Sequence, residues 1–164
     1  MMKILVIGGT GTLGSAVIQE LGADHEIITA GKTRGDFQID ITDEGSVKAL
    51  FHSTGKVDAI IVTTGNLHFG PLVEMTAEQF NIGLQDKLLG QVRIALIGQS
   101  FLNDGGSTTL TSGIIAEEPI RQGANDTTVN AAVAGVVRGA PIELPRGIRI
   151  KAVSPTVVGD PLKA

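Results

Sequence analysis

The stretch that decides the fold is KILVIGGTGTLG, which runs from Lys3 to Gly14 near the start of the chain. An apolar run typical of a β-strand leads into Gly8, Gly11 and Gly14, and an apolar helical pattern follows. Glycine permits the tight backbone of such a turn, and the free N–H groups and positive dipole end of the following helix favour a phosphate. The order strand, glycine turn and helix therefore predicts a dinucleotide-binding turn.

Glycine turns between a strand and a helix also occur in P-loops and in methyltransferases. A P-loop needs a lysine directly after its last glycine to reach the terminal phosphates, and Ser15 stands there instead. A methyltransferase-type glycine loop has compatible spacing and is a second possible interpretation. A third is that the glycines only pack the helix on the strand, although they would then cost chain entropy without any packing return.

Composition excludes several classes of protein. The chain has 164 residues and a formal net charge of -4, and because no basic block stands out we expect no nucleic-acid partner. The absence of cysteine excludes disulfides and cysteine-bound zinc, and the three histidines have no metal-ligand spacing, so we predict no metal site. No apolar run reaches membrane-spanning length and no secretory signal is visible, so we expect a cytoplasmic protein without membrane contact.

Strand-like and helical patterns alternate along the chain. Strands are predicted at 3–7, 26–29, 37–41, 58–63, 107–111 and 148–153. Helices are predicted after the glycine turn, from Thr42, from Thr76 through a long stretch to Leu96, and from about Thr127 to Arg138. This alternation predicts an α/β fold with a Rossmann-type doubly wound parallel sheet in three α/β/α layers, and we interpret residues 1–164 as a single NAD(P)-binding domain.

The segment after the second predicted strand distinguishes the two nicotinamide cofactors. An acidic residue there binds the free ribose hydroxyls, whereas a basic residue accommodates the extra phosphate of NADP. Lys32, Thr33 and Arg34 stand there without an acid, so we predict NADP rather than NAD. A charge-assisted hydrogen bond is worth about 1.5–3 kcal/mol, or roughly ten- to a hundredfold in affinity. The alternative is that both cations are solvated loop charges.

Four segments resemble those of the short-chain dehydrogenase/reductase family, over essentially the whole chain. They are GGTGTLG at 8–14, DITD at 40–43, GGSTTLTS at 105–112 and RGIRIKAVSP at 146–155. The resemblance implies a Rossmann-type fold, hydride transfer between a nicotinamide cofactor and a small carbonyl or alcohol substrate, and a homodimer or homotetramer formed through the helices near 84–102 and 127–138. The alternative for those two helices is that their apolar faces belong to the core.

The glycine turn, the polar ends of the predicted strands and the resemblance together define a predicted cofactor site. Because ligands bind beyond the carboxyl ends of parallel strands, these residues should lie at one edge of the sheet. They are Gly8, Thr10, Gly11, Thr12, Leu13, Gly31, Lys32, Thr33, Arg34, Asp40, Ile41, Thr63, Thr64, Gly65, Pro155, Thr156 and Val157. The resemblance implies that Asp40 faces the adenine.

The catalytic positions depart from the family's pattern. The family uses a tyrosine and a lysine one helical turn apart, which the likeness places at Asp126 and Asn130, and the chain contains no tyrosine at all. An aspartate with an ordinary pKa of about 3.9 has no proton to give at pH 7. We therefore predict that Ser112 supplies a hydrogen bond, Lys87 a cation beside the carbonyl, Asn130 a hydrogen bond to the cofactor ribose, and water the proton.

Alternatives remain open for the function and for these residues. The missing tyrosine and lysine beside an intact glycine turn also fit a catalytically inactive NADP(H)-binding sensor or scaffold, and some relatives are isomerases or epimerases. Lys87 and Ser112 could equally be a surface lysine and a turn residue.

Two further expectations concern the second half of the chain. Pro141 lacks an N–H group and crowds the carbonyl of Val137, so the preceding helix should kink or end near Gly139. The family normally continues well beyond its sixth strand. The last residue, Ala164, therefore predicts a fold shortened at the C-terminus, with that strand as an exposed edge.

Overall fold

The computed structural model describes residues 1–156, and a six-stranded parallel sheet lies at their centre. The strands are β1 Lys3–Ile7, β2 Glu26–Gly31, β3 Phe37–Gln38, β4 Val57–Val62, β5 Leu102–Thr111 and β6 Arg149–Val153. They lie in the order β3-β2-β1-β4-β5-β6, and each neighbouring pair is parallel. The order reverses direction between β1 and β4, which is the topological switch point of a doubly wound Rossmann-type sheet, so the predicted fold class is confirmed.

Helices pack on both faces of this sheet. They are α1 Thr12–Leu21, α2 Glu44–Thr54, α3 Ala77–Gly83, α4 Leu89–Gly98 and α5 Ala124–Gly139, and a π-helical turn, Leu84–Leu88, joins α3 to α4. Phe51 of α2 and Ile94 of α4 are fully buried in one core with Ile60 of the sheet. Val17 of α1 shares an apolar cavity with Ile61, which points to the opposite face because side chains alternate along a strand. None of the helices within residues 1–156 is long and apolar enough to cross a bilayer.

Local signals in the sequence set several helix ends. Asp43 precedes α2 and its side chain accepts a hydrogen bond from a backbone N–H of the first turn, so this helix begins close to the predicted Thr42. Thr76 and Gln79 form the predicted capping box at the start of α3. Helix α5 ends at Gly139, as expected from the proline that follows.

Several elements differ from their predicted extent, and three of these differences have a visible structural reason. Strand β3 stops at Gln38 instead of residue 41, because β2 ends at Gly31 and offers no further backbone to pair with. Strand β5 begins at Leu102 instead of residue 107, since Gly105 takes a positive φ of 74° inside a register shift. The helix predicted from residue 76 to residue 96 is interrupted by the π-helical turn.

Within the described residues, β6 lies at the outer edge of the sheet. It pairs with β5 from Arg149 to Val153, and no second neighbour pairs with it in residues 1–156. This part of the chain therefore presents β6 as the edge strand that the sequence predicted.

Candidate functional site

Two cavities open at the carboxyl edge of the sheet, where the polar strand ends were expected to meet. The first cavity, of about 250 Å³, lies beside the ends of β1 and β2, and the second, of about 540 Å³, lies beside the ends of β4, β5 and β6. Thr63, which directly follows β4, lines both of them. The two cavities therefore meet at the switch point of the sheet, which is the usual ligand site of such folds.

The predicted site residues within residues 1–156 all line one or both of these cavities. The first cavity contains Gly8, Thr10, Gly11, Gly31, Lys32, Thr33, Arg34, Asp40, Ile41, Thr63 and Thr64. The second cavity contains Thr12, Leu13, Thr63, Gly65, Lys87, Ser112, Asn130, Pro155 and Thr156. The remaining predicted residue, Val157, lies outside the described residues.

The glycine turn forms a wall of the first cavity from backbone alone. Gly8 has a φ of 90°, and its N–H donates to the carbonyl of Ala30 at 2.8 Å, which fixes the turn to β2. A Cβ on Gly14 would lie 2.1 Å from the carbonyl oxygen of Gly8, so only glycine lets α1 approach this closely. Helix α1 begins after Gly11 with no capping side chain, so its first N–H groups stay available to an anion.

A positively charged loop closes the far end of the first cavity. Lys32 and Arg34 are exposed, line the cavity and form no ion pair within the described residues. The nearest acid along the chain, Asp36, is turned back onto β2, where its carboxylate accepts from the N–H of Thr29 at 2.9 Å and from its hydroxyl at 3.1 Å. The first cavity therefore has free cations where the extra phosphate of NADP was predicted.

Asp40 also lines the first cavity. Its carboxylate accepts hydrogen bonds from the hydroxyl and the N–H of Thr42, and these bonds, with smaller contributions from Lys32 and Arg93, hold the pKa of Asp40 below its ordinary value. Next to it, Arg93 of α4 donates to the carbonyl of Ile41 at 2.6 Å, which fixes the segment between β3 and α2.

Four polar side chains face one another in the second cavity. Ser112, Asp126 and Asn130 are all buried, and Lys87 is half-buried. The hydroxyl of Ser112 donates to the backbone carbonyl of Asn130 at 2.9 Å, and the amide nitrogen of Asn130 donates to the carboxylate of Asp126. The amide oxygen of Asn130 is buried and has no hydrogen-bond partner in residues 1–156. The cluster thus combines a cation, an acid and an unused acceptor.

Burial shifts the titration of the two charged groups in this cluster. The pKa of the Lys87 amine is lowered by desolvation, and the negative charge of Asp126 opposes part of this shift. The pKa of the Asp126 carboxyl is raised by desolvation, and both Lys87 and the hydrogen bond from Asn130 oppose that shift. Such perturbed groups in a cleft mark a candidate functional site.

Known proteins resemble the whole of this arrangement. The family model described as enoyl-(acyl carrier protein) reductase matches residues 15–164. The crystal structure of a small-chain dehydrogenase has 31% sequence identity and a TM-score of 0.86, covering 93% of this chain and 81% of that one. The chain belongs to the short-chain dehydrogenase/reductase family.

Two further crystal structures are similar to this short-chain dehydrogenase/reductase. The protein lin1944 from Listeria innocua has 50% identity and a TM-score of 0.94, covering 96% of this chain and 78% of that one. A small-chain dehydrogenase in complex with NADPH has 31% identity and a TM-score of 0.86, covering 93% of this chain and 69% of that one. No curated protein matches the chain.

The residues present fit the nicotinamide dinucleotide that membership of the family implies. Helix α1 begins without a capping side chain, so its first N–H groups could bind a pyrophosphate. A Cβ on Gly8 or Gly14 would collide with Thr63 or with the turn itself, so the tight turn in front of these N–H groups requires glycine. The two cavities run on either side of Thr63, so a long ligand can extend from one to the other. In the second, the unpartnered amide oxygen of Asn130 is an acceptor of the kind a ribose hydroxyl would use.

Sequence reasoning missed two residues of this short-chain dehydrogenase/reductase that shape the second cavity. Asp126 was set aside as an ordinary carboxylate, and only its burial makes its pKa unusual. Gln91 of α4 is fully buried, and its amide bonds both the N–H and the carbonyl of Thr111 at 2.8 Å, which pins the end of β5 beside Ser112. A glutamine amid the apolar residues of a helix was the available signal, because a buried amide must find partners.

Proposed function

We propose that this chain is an NADPH-dependent reductase of small carbonyl compounds, which also runs in the reverse, alcohol-oxidising direction. The observation that carries the proposal is the meeting of two cavities at Thr63, one with the glycine turn and free cations, the other with the Lys87 cluster. The cofactor, when bound, would supply or accept the hydride. In this proposal, residues 1–164 form a single domain that contains both cavities.

Lys32 and Arg34 support the choice of NADP over NAD. Both reach the cavity from the loop after β2, and no carboxylate of that loop competes for the ribose, because Asp36 is bonded to Thr29. A relative with 31% identity was solved with NADPH. Thr33 would add a hydroxyl donor to the same phosphate.

The second cavity supplies the groups that face the reacting carbonyl. Lys87 stabilises the negative charge that develops on the carbonyl oxygen, and electrostatic stabilisation of this kind is usually a large catalytic contribution. Ser112 can bind the same oxygen if its hydroxyl turns away from the carbonyl of Asn130. Asn130 would accept a hydrogen bond from the cofactor ribose through its unpartnered amide oxygen.

A second candidate function is a sensor or scaffold that binds NADP(H) without chemistry. It is favoured by the absence of tyrosine from the whole chain and by Asn130 at the position where the family has its lysine. The two candidates predict the same cofactor affinity and differ only in turnover.

Two measurements on the wild-type protein separate these candidates. Fluorescence titration with NADPH and NADH tests the cofactor, and we expect NADPH to bind roughly ten- to a hundredfold more tightly. A panel of small aldehydes and ketones with NADPH, followed by loss of NADPH absorbance, tests the reaction. Turnover supports the reductase, tight NADPH binding without turnover supports the sensor, and equal or tighter NADH binding contradicts the choice of NADP.

We also propose a homodimer or homotetramer in the cytoplasm. Leu89 and Leu96 of α4 are exposed apolar residues, on one of the two helices through which the family resemblance implies assembly. Light scattering that finds only monomers would contradict this assembly.

A further inference from the structure

Lys87 is placed by the break between α3 and α4. It lies in the π-helical turn Leu84–Leu88, and π-helical turns inside helices often occur at functional sites. Its stem packs on Gly65, where a Cβ would lie 2.7 Å from Cβ and Cγ of Lys87 and where φ is 148°. The glycine therefore lets the lysine stem pass close to the loop after β4, and the side chain lines the second cavity.

The amine of Lys87 has most of its hydrogen-bonding capacity left. Within the described residues it makes one long contact, to the carbonyl oxygen of Ser112 at 3.4 Å, and no ion pair shorter than 4 Å. An ammonium group has three N–H donors. At least one of them is therefore available to an oxygen atom of a ligand in the cavity.

Asp126 is the matching negative charge. Among the described residues that line the second cavity, Lys87 and Asp126 are the only ionisable side chains. The carboxylate of Asp126 is buried and is oriented by the amide nitrogen of Asn130, one turn further along α5. The rest of the lining is neutral and includes the apolar side chains of Leu67, Phe69 and Ile114.

We propose that Lys87 is the proton donor of the reductase and that Asp126, oriented by Asn130, is the positioning residue that keeps Lys87 protonated. This inference rests on the proposed function and replaces water as the proton source. It also predicts that the substrates are uncharged carbonyl compounds. Lys87 and Asp126 are the only charged side chains in the described lining of the second cavity, and both take part in the proton transfer, so neither is left to bind a charged group of the substrate.

Reduction of a carbonyl compound takes up one hydride and one proton. The nicotinamide, when bound in its reduced form, would supply the hydride that forms the new C–H bond at the carbonyl carbon, and the electron pair of the C=O π bond would move to oxygen. That oxygen takes a proton from Nζ of Lys87, which becomes a neutral amine beside the carboxylate of Asp126. The carbonyl is reduced to an alcohol, the nicotinamide is oxidised, and solvent returns a proton to Lys87 through the open cavity.

The electrostatics of the cavity suit this role. Desolvation lowers the pKa of Lys87 and so makes its ammonium a stronger acid than an exposed lysine, as efficient proton transfer near neutral pH requires. The charge of Asp126 opposes part of this fall and so favours the protonated form of the amine. Removing that charge should lower the pKa of Lys87 further.

The first test measures the protonation of Lys87 without any turnover. Competitive amine labelling at a series of pH values, read by mass spectrometry of the Lys87 peptide against an added lysine-containing peptide, gives its titration. We expect a midpoint below the ordinary lysine value of 10.5 in the wild type, and a still lower one in Asp126→Asn. Equal midpoints for Lys87 in both proteins would overturn the role of Asp126.

The second test separates a proton donor from a simple positive charge. Lys87→Arg keeps the cation but cannot release a proton, since the guanidinium group of arginine is not deprotonated in proteins. We expect Lys87→Arg and Lys87→Met each to lower kcat/KM for carbonyl reduction by about a hundredfold or more while NADPH binding persists, with Lys48→Met as control. In Asp126→Asn, the fall in kcat/KM at high pH should move to lower pH.

The outcomes distinguish this inference from the proposed function. If the wild type reduces carbonyls and Lys87→Arg retains most of its activity, the proton-donor role is wrong and the reductase stands. If the wild type binds NADPH and turns over no compound of the panel, the reductase is wrong and the proton-donor role is wrong with it.

Discussion

The first and second cavities differ in whether backbone or side chains form their functional groups. The glycine-turn wall of the first cavity depends on backbone: Gly8 and Gly11 line it, Gly14 lets α1 pack closely on the turn, and α1 begins after Gly11 without a capping side chain. The second depends on side chains, since Lys87 and Asp126 enter it from separate elements. The family's pattern is intact in the first cavity and changed in the second. The first cavity therefore keeps its lining without the family's tyrosine, because Asp126 at that position lines the second cavity and not the first.

The largest effect should come from a change that breaks the first cavity. Gly14→Ala places a Cβ 2.1 Å from the carbonyl oxygen of Gly8 and 2.7 Å from Cα of Gly9, and neither backbone atom can move away cheaply. We expect the free energy of unfolding to fall by about 3 kcal/mol or more, with loss of NADPH binding. Thermal unfolding and a fluorescence titration measure both.

Gly135→Ala is the matched control for that change. Gly135 lies exposed within α5, and a Cβ there would meet nothing within 4 Å outside its own helix turn. Alanine should raise the free energy of unfolding by about 0.5–1 kcal/mol, because it costs less chain entropy in a helix. Similar losses in both variants would show that the close approach at Gly14 does not matter.

The next largest effect should come from the support of the second cavity. Gln91→Met removes the amide that bonds both backbone groups of Thr111 in the buried end of β5. Each unpaired buried group costs about 1–3 kcal/mol, so we expect the free energy of unfolding to fall by about 2–4 kcal/mol. Carbonyl reduction should fall more than NADPH affinity, because Thr111 lines the second cavity and not the first.

Gln19→Met provides the control for this variant, since Gln19 is exposed on α1. It should leave the unfolding free energy within about 0.5 kcal/mol of the wild type. An equal effect of Gln91→Met and Gln19→Met in denaturant unfolding would contradict the anchoring of β5.

The residues of the first cavity could be predicted from the sequence because the backbone geometry of a tight turn depends directly on the residue types in it. Glycines at fixed spacing after an apolar run predict the turn directly, and cations after β2 lie where the strand order must bring them. The helix start near Thr42 and the capping box at Thr76 were equally local. These features need no knowledge of distant contacts.

The second cavity could not be predicted to the same depth because it depends on contacts between distant segments. The break at Leu84–Leu88 follows close packing on either side: a Cβ on Gly83 would meet Asn125, and one on Gly90 would meet Ile41. A helical pattern in the sequence continues through that segment unchanged. The pKa of Asp126 likewise depends on burial, which spacing alone does not reveal.

A smaller effect, selective for NADPH over NADH, should follow when the cations of the first cavity are removed. Combined Lys32→Ala and Arg34→Ala removes both cations that face it. We expect NADPH affinity to fall roughly ten- to a hundredfold for each charge-assisted hydrogen bond that is removed, while NADH affinity changes little. Fluorescence titration with both cofactors measures this, and Lys48→Ala on α2 is the control. If NADPH and NADH affinities weaken equally, the loop does not select the phosphate.

The smallest effect should appear at the opposite edge of the sheet, away from both cavities. Asp58 of β4 accepts hydrogen bonds from the N–H of Lys3 at 2.8 Å and from the amide of Asn103 at 2.9 Å, and these bonds lower its pKa. Asp58→Asn replaces an acceptor facing two donors by an amide that can satisfy only one. Because the site is solvent-screened, we expect the free energy of unfolding at pH 7 to fall by about 1 kcal/mol or less.

The pH dependence of that difference follows from the direction of the shift. A carboxylate whose pKa is lowered by folding contributes stability above its unfolded pKa of about 3.9, and loses it as the pH falls through the lower folded value. The gap between Asp58→Asn and the wild type should therefore close below about pH 4, and Asp24→Asn at an exposed position is the control variant. NADPH affinity should be unchanged in both, because Asp58 lines neither cavity. A gap that instead widened on acidification would mean that folding raises the Asp58 pKa, and that the two hydrogen bonds do not favour its charged form.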